Sequence, residues 1–357
     1  MSAADELFLE AAVELAEEGR FTCSPNPTVG CIITKNHVVL GRGFHQRTGS
    51  GHAEVNAIDS AGGAANIVGA TVYVSLEPCA FEGRTPACAA TLAAGNVSRV
   101  VVAAIDPHRE VAGKGIAALK DAGIQVDLLE LTSAQRCIEG YTNRIVNKRP
   151  YVRVKTASSM DGATALASGE SQWITGPQAR ADVQYWRARS DAIVTGIGTV
   201  LADDPQLNVR DERYTHCNQP LRVVLDRQLR IPRDAKLLDG ATPTLIVHAM
   251  DAEPDQALIS KQNVECLGIA GGLPELLNNL ADRGCNEVLV EAGTTLVGSF
   301  AEGKLWDEWL FYLAPTLLGD DARRLAHLNV ATLAEAVSGK VVSTNRIGSD
   351  LRVLVRR

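Results

Sequence analysis

With 357 residues the chain exceeds the usual span of one hydrophobic core, and two domains are expected. Its longest apolar runs, Val100 to Ile105 and Leu245 to Val247, are strand-length and exclude a helical membrane span, which needs ~20 residues. A net charge of −7 with 4% aromatic residues argues against an extended nucleic-acid surface, which wants basic stripes and stacking rings; a small anionic substrate held by local arginines stays open.

Met1 to Glu6 shows no basic stretch followed by an apolar one, so a cytoplasmic location is expected, with no membrane partner. The cysteines (Cys23, Cys31, Cys79, Cys88, Cys137, Cys217, Cys266 and Cys285) then read as buried apolar residues, with metal binding the exception to look for. Asp5 to Gly19 carries Leu7, Ala11 and Leu15 beside Phe8 and Ala12, a helical stripe ended by glycine. Val29 to Thr34 and Val38 to Gly41, joined by Lys35-Asn36-His37, predict a hairpin. Helices follow at His52 to Ala61, Thr85 to Ala94 and Gly115 to Ala122, strands at Thr71 to Leu76, Val100 to Ile105 and Ile124 to Leu129. Thr85 suits an N-cap, Pro86 the first helical position and Gly95-Asn96 the stop. This alternation predicts a three-layer α/β domain. Tyr141 to Arg149, ahead of Pro150, is the expected boundary.

Beyond it strands are expected at Val152 to Thr156, Ala192 to Thr195, Arg222 to Asp226, Thr244 to His248, Glu287 to Glu291 and Glu308 to Leu313. Helices are expected near Gln178 to Arg189, Pro274 to Arg283 and Thr295 to Glu302. The apolar segment holding Trp306, Trp309, Leu310 and Phe311 reads either as an oligomer interface or as core.

Two stretches carry chemistry together: His52-Ala53-Glu54, and Pro78-Cys79 followed, after eight intervening residues, by Cys88. One imidazole and two thiols form a zinc-type donor set that leaves a fourth tetrahedral position open for water. Glu54 is the general acid/base such a water needs, and the pattern matches the H-x-E…P-C-x-x-C signature of zinc nucleobase deaminases, except that eight residues rather than two separate the cysteines. Mid-helix, His52 and Glu54 would point about 200° apart, so both are expected at the helix entrance, facing one cavity. A structural zinc site completed by Cys23 or Cys31 is the competing reading, and it leaves Glu54 without a role.

Read without relatives, the second half is an α/β ligand-binding domain. Gly196-Ile197-Gly198 reads as a tight turn rather than a dinucleotide fingerprint. Gly293-Thr294-Thr295, ahead of a helix, is either a phosphate seat or an ordinary cap. Arg187 and Arg210 can each fork onto a phosphate or sit in solvent. Trp173 can stack on a nicotinamide or belong to the core. Lys155 orients a sugar or is a surface charge, and Asp161 initiates a turn with Gly162.

The long cysteine loop with Gly83-Arg84-Thr85-Pro86, together with Pro25-Asn26-Pro27-Thr28-Val29-Gly30, resembles one family: the bifunctional riboflavin-biosynthesis deaminase/reductases. The likeness runs nearly end to end, through Arg149-Pro150-Tyr151-Val152, Ser159-Met160-Asp161-Gly162, Ser168 to Thr175, Thr195 to Pro205 and Val290-Glu291-Ala292-Gly293. Ala80-Phe81-Glu82 departs from the Ser-His-His the family often carries, and Met160 from its commoner leucine.

The resemblance implies a cytidine-deaminase-like three-layer α/β/α domain over residues 1–147, which would hydrolyse an amino group of a phosphoribosylaminopyrimidine with one zinc. It implies a dihydrofolate-reductase-like α/β domain over residues 148–357, which would reduce the ribosyl chain with NADPH. Zinc then falls to His52, Cys79 and Cys88, and proton transfer to Glu54. Substrate contacts fall to Asn26, Arg84, Lys155, Ser171, Arg187, Leu207, Arg210 and Glu291. NADPH contacts fall to Ala157, Trp173, Thr199, Asp203 and the turn Gly293, Thr294, Thr295, Leu296, Val297, Gly298 and Ser299. A homodimer or homotetramer is implied, with no nucleic-acid partner. Two other readings compete. One is a base editor with an RNA-binding second domain, whose basic, aromatic-studded face is missing. The other is a single live enzyme domain fused to a scaffold or sensor.

Overall fold

The computed structural model describes residues 2–81 and 87–357. The chain forms two compact units, residues 1–148 and 149–357.

The first unit contains helix α1 (Ala3–Ala16), strands β1 (Gly30–Lys35) and β2 (Val38–Phe44), helix α2 (Ala53–Ser60), strand β3 (Thr71–Val74), helix α3 (Cys88–Ala94), strand β4 (Arg99–Val102), helix α4 (Lys114–Asp121), strand β5 (Gln125–Leu128) and helices α5 (Thr132–Cys137) and α6 (Glu139–Asn147). The sheet order is β2-β1-β3-β4-β5, with β1 antiparallel to both neighbours and β3, β4 and β5 parallel. Asn36 and His37, at φ 51° and 63°, make the tight two-residue hairpin turn. Strand alternation splits the core. Val72, Val74, Val100 and Val102 pack with Ala57, Ile58, Ala89, Leu92 and Leu119, whereas Tyr73 and Val101 pack with Leu9, Val13 and Ala134. Helices therefore cover both faces of the sheet. Gly43 lets α2 lie directly on β2, since a Cβ there would stand 2.3 Å from the Ala57 nitrogen.

Helix α1 starts with a reciprocal capping box between Ser2 and Asp5. The buried Asp5 carboxylate also accepts from Arg99 (2.7 and 3.2 Å) and from the Tyr73 hydroxyl (3.0 Å). The bond to Arg99 holds its pKa far below the carboxylate range, against the opposing effect of burial. A depressed carboxylate stabilises the fold above its unfolded pKa of about 3.9, and that contribution is lost as pH falls further. Asp5→Asn is expected to cost about 1–3 kcal/mol at neutral pH, with the gap to wild type closing in urea titrations run at progressively lower pH.

The division between the units, after Lys148, falls inside the expected segment Tyr141 to Arg149, which is helical as far as Asn147 because α5 and α6 bury Ala134, Cys137 and Asn143. Helix α3 begins at Cys88 with Ala87 at its N-cap position, and the expected cap at Thr85-Pro86 lies outside the described residues, as does Arg84.

The second unit contains β6 (Tyr151–Ser159), β7 (Ala163–Ala165), α7 (Pro177–Ala188), β8 (Ala192–Gly196), α8 (Ile197–Asp203), β9 (Leu221–Leu225), β10 (Thr244–Ala249), α9 (Gln256–Ile259), β11 (Val264–Ile269), α10 (Gly272–Asp282), β12 (Glu287–Glu291), α11 (Thr294–Glu302), β13 (Glu308–Ala314), β14 (Arg323–Arg324), β15 (Lys340–Ile347) and β16 (Asp350–Arg356). Nine strands form one sheet in the order β11-β10-β9-β8-β12-β6-β13-β16-β15. Those from β11 to β13 run parallel, and the β15–β16 hairpin closes the edge antiparallel. The central strands are buried on both faces and mostly apolar, as parallel strands covered by helices must be, with Arg222 of β9 a buried exception. The carboxyl ends of β6, β8, β9 and β12 open onto one cleft.

Gly196-Ile197-Gly198 is the start of helix α8, with Gly196 at the N-cap, and not an isolated tight turn. Trp306, Trp309 and Leu310 are buried in the unit's own core, which removes them as interface candidates. No helix among the described residues is long and apolar enough to cross a membrane.

Candidate active sites

His52 is the N-cap of α2, with φ −71° and ψ 168°, and Glu54 is the second residue of that helix. Cys88 is the first residue of α3, and Cys79 follows the end of β3. These elements bring the His52 Nδ1 atom to 3.2 Å from the Cys88 sulfur and 3.7 Å from the Cys79 sulfur. Tetrahedral zinc with ordinary bond lengths would separate nitrogen and sulfur ligands by about 3.6 Å, so the donor set fits the ion in chemistry and spacing. Among the described residues these three alone form such a group. Cys23 and Cys31 are not part of it. The Cys23 thiol faces the Asn26 carbonyl (3.5 Å), and the Cys31 thiol is pushed up by burial and by the charge of Glu54. That disposes of the structural zinc alternative.

The Cys88 backbone N–H points at the Cys79 sulfur (3.3 Å), the arrangement by which a helix start favours thiolate. Glu54 is 3% exposed, and burial pushes its carboxyl up. Asn26 lies one residue away from the ligand set: its side-chain nitrogen is 3.0 Å from His45 Nε2, and the His45 ring meets the His52 ring edge-on at 5.4 Å. His45 itself, buried and bonded to the Gly51 carbonyl, went unrecognised in the sequence because a lone histidine at a strand end carries no pattern.

In the second unit a cleft of about 1110 Å³ collects most of the expected residues. Ala157, Trp173, Thr199, Asp203, Gly293, Thr294, Thr295, Leu296 and Ser299 line it, together with Lys155, Ser171, Arg187, Leu207, Arg210 and Glu291. Val297 and Gly298 do not. Val297 is buried in the core, and Gly298 packs so closely that a Cβ would lie 2.0 Å from the His327 carbonyl oxygen. Helical periodicity turns these two away from the cleft, so the seven-residue turn contributes its two ends only.

Gly293 is the N-cap of α11, leaving first-turn N–H groups free to meet an anion. Arg187 does not offer its fork to a phosphate. Its Nε and Nη2 atoms bond both oxygens of Glu291 (2.6 and 3.0 Å), and Nη1 bonds the Asn208 carbonyl (3.1 Å). Arg210 keeps its guanidinium for the cleft apart from a 3.5 Å contact with Asn208, and burial beside Arg187 lowers its pKa. Burial likewise lowers the Lys155 ammonium, partly offset by Glu291 and reinforced by Arg187. Burial alone would raise the Glu291 carboxyl, but Arg187, Lys155 and Arg210 hold it below the usual range. Trp173 is 68% exposed, so it is not core, and the Arg180 guanidinium covers its ring at 4.3 Å.

Three-layer architecture and a His/Cys/Cys donor set beside a buried glutamate define the first unit as a zinc-dependent deaminase of the cytidine-deaminase type. Residues 2–104 match the cytidine and deoxycytidylate deaminase zinc-binding region, and residues 150–353 match the RibD C-terminal domain. The chain is 42% identical to the riboflavin biosynthesis protein RibD of Haemophilus influenzae, over 99% of this chain and 97% of that protein. It superposes on Acinetobacter baumannii RibD with a TM-score of 0.93 at 42% identity, covering 99% and 98% of the two chains. A Thermotoga maritima diaminohydroxyphosphoribosylaminopyrimidine deaminase/5-amino-6-(5-phosphoribosylamino)uracil reductase gives 0.88 at 29% identity, covering 99% and 98%. The chain belongs to the RibD family, bifunctional enzymes that join a deaminase to a dihydrofolate-reductase-like reductase in riboflavin biosynthesis.

Proposed function

We propose that residues 1–147 hydrolyse the 2-amino group of 2,5-diamino-6-(5-phosphoribosylamino)pyrimidin-4(3H)-one, and that residues 148–357 then reduce the ribosyl side chain with NADPH. The product is 5-amino-6-(5-phosphoribitylamino)uracil. The grouping of His52, Cys79 and Cys88 beside buried Glu54 carries this reading most directly. Zinc bound by the three ligands supplies Lewis-acid activation of a water. Glu54 takes the proton that water gives up and passes it to the departing ammonia. Asn26 and Arg84 are the substrate contacts assigned to this domain.

In the cleft, NADPH supplies a hydride to the ring-opened C1′ carbon of the sugar. The first-turn N–H groups of α11, with Thr294 and Thr295, suit its diphosphate, and Ala157, Trp173, Thr199 and Asp203 surround the rest. Lys155 delivers the proton that balances the hydride. Glu291, oriented by both nitrogens of Arg187, positions that ammonium, and Arg210 receives the substrate phosphate beside Ser171 and Leu207. Free cysteines, two of them needed as thiolates, suit a reducing cytoplasm. The decisive experiment follows ammonia release and NADPH absorbance together in purified protein given the diaminopyrimidine. Ammonia release preceding NADPH loss is expected; NADPH consumption with no ammonia removes the deaminase half of the assignment, and no NADPH consumption with pre-deaminated substrate removes the reductase half.

Homo-oligomer formation belongs to the same reading, and it moves from the tryptophan strand to the sheet edge. Strand β15 ends the sheet with Val341 64% and Val342 43% exposed, a small apolar patch on an edge open to pairing with another strand. Val341→Lys is expected to shift the mass measured by light scattering toward the single chain; an unchanged mass places the interface elsewhere.

A further inference from the structure

We propose that Glu77 is a positioning residue for the zinc ligand Cys79, an inference that rests on the zinc site proposed above. Beyond β3 the chain stays aligned with its neighbour through the Glu77 N–H, which donates to the Ala104 carbonyl (2.9 Å). Next comes Pro78, which has no N–H to give, and then the ligand itself. The backbone alone therefore anchors the approach to Cys79 weakly.

The Glu77 side chain makes up for this. It is 4% exposed, and both of its oxygens are filled by backbone donors. One oxygen accepts from Gly115 (2.9 Å) and Ile116 (3.1 Å), the other from Gly113 (2.9 Å) and Asp106 (3.4 Å). Four bonds to one planar group leave no rotation that keeps them all, so the carboxylate fixes the residue two before the ligand. A cap for α4 would need only the donors of that helix start; here the loop after β4 is tied in as well, through Asp106.

Other contacts converge on the same point. Helix α4 presses on Pro78 so closely that a Cβ at Gly115 would stand 1.8 Å from the Pro78 carbonyl oxygen. From the α3 side, the Ala89 N–H bonds the Cys79 carbonyl (3.1 Å) and the Cys88 N–H bonds its sulfur (3.3 Å). Cys79 is thus held from α3 directly and from α4 through Glu77. Removing outer partners of a metal ligand commonly weakens affinity or activity by roughly 10–100-fold.

The test uses the full chain in three forms: wild type, Glu77→Gln and Gly115→Ala. Glu77→Gln keeps the shape but presents an amide N–H₂ to two backbone donors; Gly115→Ala pushes Pro78 from the α4 side. Both variants are expected to release zinc to a chelator roughly 10–100-fold faster than wild type. In the cobalt-substituted protein, both should shift or weaken the thiolate-to-metal absorption. Reduction of pre-deaminated substrate in the second unit should stay at the wild-type rate. Wild-type protein that takes up no zinc sinks the site and the inference together. Wild-type protein that holds one zinc, with Glu77→Gln releasing it at the same rate, sinks the inference alone. So does a Glu77→Gln protein destabilised equally with and without metal whose cobalt spectrum is unchanged, since that is the behaviour of a purely structural residue.

Discussion

Glu54→Gln is expected to lower the deaminase turnover by roughly 10²–10⁴-fold, the contribution of a positioned acid/base, while zinc content and NADPH-dependent reduction stay intact. The variant keeps the volume of a side chain that is 3% exposed, so the packing of α2 should be undisturbed. What it removes, on the proposed mechanism, is the group that accepts a proton from water and returns it to the leaving amine. Glu54 is not among the three clustered donors, so metal analysis should still find one zinc per chain. Three readouts separate the possibilities: ammonia release falls, zinc stays, and reduction of the pre-deaminated substrate proceeds. If zinc is lost with activity, Glu54 acts through the metal site's integrity and not as the proton carrier. If ammonia release persists within tenfold of wild type, another group moves the proton.

How far the sequence reached depends on the range of the forces involved. Strand β12 runs from Glu287 to Glu291 as its apolar run implies, because a strand covered on both faces writes its burial into its own residues. Strand β15, with its Lys-Val-Val-Ser-Thr-Asn-Arg-Ile sequence, carries no alternation, and its existence depends on pairing with β16. Helices α5 and α6 were hidden behind Asn143, Asn147, Lys148 and Arg149, which look like a linker until the sheet supplies a surface for Ala134 and Cys137. The zinc donors were legible because metal chemistry restricts residue type and spacing together. Glu77 was not, since its donors come from Asp106, Gly113, Gly115 and Ile116, 29 to 39 positions along the chain. Arg187 shows the same limit in reverse. A phosphate fork was a fair reading of an isolated arginine, and only the fold brings Glu291 against it from 104 residues away.

Lys155→Met is expected to reduce the reductase turnover by roughly 10²–10⁴-fold with NADPH binding, read by quenching of protein fluorescence, close to wild type. Hydride transfer to the ring-opened sugar builds negative charge on the neighbouring heteroatom, and a proton must arrive there. Lys155 begins the run of β6 (Lys155, Thr156, Ala157) that lines the cleft, with Glu291, Arg187 and the Tyr312 ring (5.9 Å) around its ammonium. Burial lowers its pKa from the ordinary lysine value, which brings the donor closer to the operating pH and makes it a better acid. The sign of the pH dependence follows: the ammonium is the active form, so the rate should hold at low pH and fall as pH rises through the lowered pKa. That decline should begin below the ordinary lysine value of about 10.4. Lys155→Arg keeps the charge but not the titration, and should remove the alkaline limb while leaving a slow rate, because a guanidinium gives up its proton far less readily. Loss of Lys155 still leaves Glu291 paired with Arg187, so unfolding of the second unit should change little. A Lys155→Met enzyme within tenfold of wild type, or one with the same alkaline limb, would move the proton donor to another group lining the cleft.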